Sequence, residues 1–216
     1  MDNNFSITIL ENGPYLVKGG VPLSIVQVNY DENDVPRSYT ELKKFEVAEE
    51  YLLCRCGKSS NYPFCDNAHN NFPFHGKETA KKEITWRKVV GPELVLYDAL
   101  DFCFGATFCH LGGNTWQMIE KSDNATCKQL GIEGAMGCPS GRLVVKDKKT
   151  NEILEPDYEP SIFIIEDEGV RGPLWVRGKI PIISADGETY PIRNRVTLCR
   201  CGKSRNKPFC DGMHNY

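Results

Sequence analysis

The sequence predicts an α+β fold, mainly β, in which two copies of one small hairpin-and-loop unit flank a different middle segment. Three observations carry this reading. The sixteen residues Cys54 to His69, CRCGKSSNYPFCDNAH, return as Cys199 to His214, CRCGKSRNKPFCDGMH, with twelve positions identical. A run of apolar and β-branched residues broken by Gly and Pro precedes each copy. Between the copies, cysteines at 103, 109 and 138 follow a pattern of their own.

The elements follow in chain order. Gly13-Pro14-Tyr15-Leu16-Val17-Lys18-Gly19 echoes Gly172-Pro173-Leu174-Trp175-Val176-Arg177-Gly178, and Val21-Pro22-Leu23 echoes Ile180-Pro181-Ile182. Such runs read as short strands joined by turns. The offset is 159 residues at this hairpin and 145 at the cysteine cassette, so the first copy holds fourteen extra residues. The polar stretch Asn29 to Lys44 accommodates them and is expected to be a surface loop. Strands Tyr51-Leu52-Leu53 and Val196-Thr197-Leu198 lead into the two cassettes. In the middle, a helix from an N-cap at Ser122 to Met136 precedes Cys138. The chain divides into residues 1–82, 83–160 and 161–216. A lone hairpin with one loop buries too little surface to be stable. The two copies are therefore expected to pair as an intrachain pseudo-dimer with a shared β-rich cap; a homodimer of the whole chain is the alternative.

Each cassette sets three cysteines and one histidine at C-x-C-x8-C-x3-H: Cys54, Cys56, Cys65 and His69, then Cys199, Cys201, Cys210 and His214. These soft and borderline donors suit zinc or an iron–sulfur cluster. Zinc sites usually space paired cysteines as C-x2-4-C. C-x-C instead places alternate residues of an extended segment on one side, a shape for gripping one iron of a two-iron rhomb. Cys65 and His69 share a face if a helical turn runs from Asp66 to His69, and would hold the second iron.

In the middle segment, Cys103-Phe104-Gly105-Ala106-Thr107-Phe108-Cys109 is followed by Cys127 and by Cys138-Pro139. Ferredoxins hold a cluster with C-x2-C-x2-C and a later C-P. Here Ala106 fills the middle slot. The pattern is similar to single-cluster ferredoxins, giving Cys103, Cys109 and Cys138 as candidate ligands of a third, [3Fe-4S] or [4Fe-4S], cluster. The alternative is a remnant module whose cysteines are ordinary buried residues. Cys127 reads as core, and His110, beside Cys109, as a possible recruit for zinc.

The cassette residues resemble the CDGSH iron–sulfur domain, or NEET, family, with motif C-x-C-x2-(S/T)-x3-P-x-C-D-G-(S/A/T)-H. The matches are Cys54, Cys56, Ser59, Pro63, Cys65, Asp66 and His69, and Cys199, Cys201, Ser204, Pro208, Cys210, Asp211, Gly212 and His214. The resemblance implies one [2Fe-2S] cluster per copy, its Cys/Cys iron buried and its Cys/His iron near solvent. Two positions depart from the motif. Asn67 replaces glycine, and Asn is the residue other than Gly best suited to positive φ. Met213 replaces a small residue, which either weakens a cap or shields the second cluster. Asp66 and Asp211 read as caps on backbone N–H groups of the cluster turn. Long bacterial relatives with two such motifs are similar to nearly the whole chain.

Composition points to a soluble cytoplasmic protein. A quarter of the residues are charged, mean hydropathy is below zero, and no apolar run approaches the twenty residues that span a bilayer. The N-terminus lacks a signal-peptide pattern, and ten cysteines without one suit a reducing compartment. A net charge of -3 gives no sign of nucleic acid. Arg193, Arg195, Arg200, Lys203, Arg205 and Lys207 crowd the second cassette, while Arg55 and Lys58 mark the first. They form either a solvated basic face or a docking patch for an acidic redox partner. No nucleotide loop, nucleophile motif or carboxylate pair suggests an enzyme. The expected role is electron transfer or delivery of labile clusters to an apo iron–sulfur acceptor. A redox or iron sensor and a zinc-held structural protein are the alternatives.

Overall fold

A computed structural model describes residues 5–215. The first copy contributes β1 (Ser6–Ile9), β2 (Tyr15–Lys18), β3 (Leu23–Tyr30), β4 (Pro36–Phe45) and β5 (Glu50–Leu53). The middle contributes β6 (Arg87–Val90), β7 (Leu94–Asp98), helices α1 (Thr115–Glu120) and α2 (Ala125–Met136), β8 (Leu143–Asp147) and β9 (Ile153–Leu154). The second copy contributes β10 (Ser161–Asp167), β11 (Val170–Arg177), β12 (Ile182–Ile183) and β13 (Arg195–Leu198).

The two copies exchange strands. By sequence, β2 corresponds to β11, β3 to β12 and β5 to β13. The sheet orders are β12-β1-β2-β5 and β13-β11-β10-β3-β4. Thus β12 leaves its own copy to lie parallel to β1, with Ile182 opposite Ile7, and β3 crosses to lie parallel to β10, with Leu23 opposite Ile162. Leu23 and Ile182 are equivalent positions of the repeat. The junctions are closed alike: Ile7 N–H donates to the Pro181 carbonyl at 2.9 Å and Ile162 N–H to that of Pro22 at 2.8 Å. This is the intrachain pseudo-dimer that the repeat predicts. Alternation of buried with half-buried positions along β1 and β2 turns one face of each strand into a shared core. There Ile7, Val17, Leu23, Leu53, Ile162 and Leu198 belong to one cluster and are almost wholly buried. Each such side chain contributes roughly 1.5–3 kcal/mol by leaving water, so the two halves stabilise each other.

The stretch Asn29 to Lys44 is not a loop. β3 and β4 form a hairpin through it, turned by Asp31, whose Oδ1 accepts from the N–H groups of Asn33 and Val35 at 2.9 and 3.0 Å. Asn29 Nδ2 donates to Ser38 Oγ and Thr40 Oγ1 across the pair. Most of β4 faces solvent, so it lacks the apolar alternation that identifies a half-buried strand. Its charges also suit a sheet edge.

The middle segment is a four-stranded antiparallel sheet, β6-β7-β8-β9, with α1 and α2 packed on it around Leu94, Leu96, Ile119, Leu143 and Val145. The N-cap of α2 is Asn124, accepting from Cys127 N–H, and not Ser122. Ser122 is 1% exposed, and its hydroxyl accepts from the N–H groups of Glu93 and Leu94, tying the helical layer to the β6–β7 turn. Helix α1, which the sequence did not announce, is capped by Asn114. Among the described residues no helix is long and apolar enough to cross a membrane.

Candidate metal centres

Each cassette is built by the same local bonds. β5 and β13 deliver Cys54 and Cys199 at their ends, and the loop folds back so that Cys54 N–H reaches the Pro63 carbonyl at 2.9 Å and Cys199 N–H that of Pro208 at 2.7 Å. Cys65 and Cys210 return to the entering strand, donating to Leu52 and Thr197. Ser59 and Ser204 hydroxyls close the loop onto the carbonyls of Phe64 and Phe209. Asp66 accepts from Ser60 N–H and Oγ and from Ala68 N–H, and Asp211 from Arg205 N–H and Met213 N–H. Both aspartates therefore fasten the turn that carries the third cysteine and the histidine.

The donors come in pairs. Cys54 and Cys56 Sγ atoms lie 3.6 Å apart and Cys199 and Cys201 3.7 Å. Cys65 Sγ lies 3.6 Å from His69 Nδ1 and Cys210 Sγ 3.4 Å from His214 Nδ1. Two sulfurs at 2.3 Å from one tetrahedral metal stand about 3.7 Å apart, and a sulfur and a nitrogen about 3.5 Å. Every pair thus fits two corners of one metal. Among the described residues, no three His, Cys, Asp or Glu side chains gather round one ion position. Asp66 to His69 does not begin an α-helix; a single 3-10 turn, Ala68–Asn71, follows Asn67 at φ 65°, and this suffices to aim His69 at Cys65.

Cys54 and Cys56 are buried, while Cys65 and His69 are half-buried, so the Cys/His pair lies outward. At the second cassette Cys210 is buried as well as Cys199, and Phe104 of the middle segment packs in the same cluster as Cys210. Burial pushes the Cys56 thiol up to about 11 and that of Cys210 to about 12. Cys199 hydrogen-bonds Cys201, which raises Cys199 and holds Cys201 down at about 6. Binding a metal at these sites therefore releases protons.

Cys103, Cys109 and Cys138 line one cavity of about 130 Å³, together with His110, Trp116 and Arg142. The 103–109 loop wraps it with Gly105 at φ 86° and Thr107 at φ 55°. Burial pushes Cys109 up to about 11. Arg142, bidentate on Asp98 at 2.6 and 2.9 Å, places a cation in the wall. Cys127 lies in the first turn of α2, away from the cavity.

The basic cluster around the second cassette is divided: Arg195 is buried, Arg193, Arg200 and Lys207 are half-buried, and Lys203 and Arg205 are exposed. Arg195 is 1% exposed and donates to the carbonyls of Cys138, Ala135 and Leu143 while pairing with Glu155 at 2.7 Å. Arg193 donates to the Gly141 carbonyl and lies over Phe102. Arg200 bonds the Gly172 carbonyl, as Arg55 bonds that of Gly13. Arg193, Arg195 and Arg200 bond backbone carbonyls, a use that suits the planar five-donor fork of arginine.

Residues 12–70 and 171–215 match the family described as iron-binding zinc finger, CDGSH type, and residues 89–148 match a divergent 4Fe-4S mono-cluster family. No curated protein and no solved structure matches the chain.

Proposed function

We infer that this chain, in which two CDGSH-type iron-binding segments flank a divergent 4Fe-4S segment, is an iron–sulfur carrier with one [2Fe-2S] cluster in each cassette. The observation that supports it is the pairing of donors, two per metal position and two positions per cassette. Bound in this way, a cluster supplies one-electron exchange. The chain's own residues set the conditions. Cys54 with Cys56, and Cys199 with Cys201, would hold the inner iron. His69 and His214 would hold the outer iron through Nδ1, where an imidazole, unlike a thiolate, gives up its place to a proton near neutral pH. Cys103, Cys109 and Cys138 would hold a third cluster, [3Fe-4S] or [4Fe-4S], beside the Arg142–Asp98 pair.

The partner in this reading is a redox protein or an apo iron–sulfur acceptor. An open cleft of about 430 Å³ between the cassettes reaches Cys56 and Cys201 and is edged by Lys58 and Lys203, which favours an acidic partner. All ten cysteines are free thiols, as suits a reducing cytoplasm. The test is the iron, sulfide and zinc content of anaerobically purified protein beside its visible spectrum. About four irons and four sulfides with the visible spectrum of [2Fe-2S] clusters establish the two cassettes, and about three or four more irons the middle site. Zinc near two per chain, about one per tetrahedral cassette, without sulfide and without colour, overturns the reading in favour of a structural zinc protein.

A further inference from the structure

Phe104 follows Cys103 in the loop that walls the middle cavity, and it is only 7% exposed. Its ring lies 6.3 Å, centroid to centroid, from the imidazole of His214, within the range of aromatic contact. It shares a buried cluster with Cys210. Its carbonyl oxygen stands 2.9 Å from where a Cβ on Gly212 would be. The loop that carries two of the three cavity thiols therefore presses on both outer donors of the second cassette and on the turn between them. At the first cassette the place beside His69 belongs to Phe74, 6.4 Å away, from the chain just beyond that same cassette.

The loop turns outward only at Gly105. Gly105 is exposed, and the space where its Cβ would stand has no atom within 4 Å. A group bound by Cys103 and Cys109 would fix both of its ends, with Phe104 between them.

We propose that Phe104 is a positioning residue that couples the middle site to the second CDGSH site, so that filling the Cys103–Cys109–Cys138 cavity holds the ring in its place against His214 and slows loss of the second cluster, while the first cluster stays independent. This rests on the reading of the middle cavity as a cluster site. Coupling is reciprocal in binding free energy, so an occupied second cassette steadies the middle site in turn.

The experiment uses the full chain, loaded anaerobically, and follows visible absorbance and the EPR signals of the reduced [2Fe-2S] clusters during iron removal by a chelator at mildly acid pH. Phe104→Leu keeps apolar volume and removes the ring; Phe104→Tyr keeps the ring; Cys109→Ala opens the middle site and leaves Phe104 in place. Phe104→Leu and Cys109→Ala are each expected to speed loss of the same one [2Fe-2S] cluster about fivefold or more and to alter its EPR line shape. Phe104→Tyr restores the wild-type rate, and Phe74→Leu acts on the other cluster. If the iron content shows a third cluster but Phe104→Leu leaves both loss rates unchanged, the coupling is overturned and the middle site stands. If Phe104→Leu acts and Cys109→Ala does not, Phe104 is packing alone and the coupling is again overturned. If the wild-type chain carries only about four irons and the EPR signals account for them as two [2Fe-2S] clusters, the reading of the middle site fails and takes the proposal with it. Should Phe104→Leu not fold, Cys109→Ala decides, because it keeps the Phe104 side chain and removes only a donor of the middle site.

Discussion

Cys56 and Cys201 face each other across an isolated antiparallel β-bridge, so each cassette is braced by the second cysteine of the other. The approach leaves no room for side chains beside it. A Cβ on Gly57 would stand 3.0 Å from Cys201 Cα, and one on Gly202 3.2 Å from the Cys56 carbonyl oxygen. Both glycines also hold positive φ, at 76° and 77°.

Gly57→Ala and Gly202→Ala are therefore expected to cost about 1–3 kcal/mol each, read from the midpoint of chemical denaturation. Because the crowded atoms belong to the opposite cassette, either substitution should speed loss of both [2Fe-2S] clusters. An effect confined to the substituted cassette would show that the bridge does not join them.

The two copies differ at Asn67 and Gly212, and the structure gives the reason. Asn67 is exposed at φ 65°, a left-handed position that Asn tolerates. Gly212 is buried at φ 84° against the carbonyl of Phe104. Asn67→Gly should change stability by no more than about 1 kcal/mol, whereas Gly212→Asn should cost about 1–3 kcal/mol. Equal effects in a denaturation series would remove the Phe104 contact as the cause of the asymmetry.

What was legible in the sequence was what is local. The four donors of a cassette lie within sixteen residues, and their spacing alone puts Cys54 beside Cys56 and Cys65 beside His69. The strand exchange rests on Ile7 meeting Ile182 and Leu23 meeting Ile162; the duplication suggests that the copies meet, but no local pattern says which strands cross over. The β3–β4 hairpin hid because cross-strand polar pairs such as Asn29 with Thr40 hold it in place of apolar alternation. Ser122 looked like a cap because its residue type suits one, yet its hydroxyl serves a distant turn. Arg195 read as surface charge because nothing near it in sequence announces Ala135, Cys138 and Glu155 as its partners.

Those partners make Arg195 the pin between β13 and the end of α2. It spends its donors on three carbonyls and one carboxylate. Arg195→Met should destabilise the fold by about 3–5 kcal/mol, since it strands the carbonyls and leaves Glu155 unpaired. The measure is a lower urea midpoint with an unchanged slope. It should also loosen the Cys138 turn, so the middle site should lose iron before the cassettes do.

Asp66 sets a different boundary. Hydrogen bonds from the Ser60 hydroxyl, then from the Ser60 and Ala68 N–H groups, hold its carboxyl well below the ordinary value. With a folded pKa below the unfolded one, its contribution is fully present above about pH 4 and is lost only as pH falls through the folded value. Asp66→Asn should therefore speed loss of the first cluster by the same factor at pH 7 and at pH 5. A factor that shrinks between those values would mean that Asp66 titrates in that window.

Acid lability between pH 7 and 5 then belongs to the histidines. His69 and His214 are the imidazole donors of the cassettes, the side-chain type that exchanges a metal for a proton in mild acid; both are half-buried, and burial, then the Arg200 charge, pushes His214 below its ordinary value. His69→Cys and His214→Cys replace an imidazole with a donor that holds iron more tenaciously. Each should slow loss of its own cluster at mildly acid pH and flatten the pH dependence. Two imidazoles in place of thiolates raise Rieske centres well above plant-type ferredoxins. Removing one here should therefore lower the reduction potential, by on the order of 100 mV. The measurements are stopped-flow decay of the visible absorbance from pH 7 to 5 and a potentiometric titration. Decay rates and pH slopes equal to those of the wild type would take the histidines out of the mechanism and move the acid-sensitive step to the thiolates.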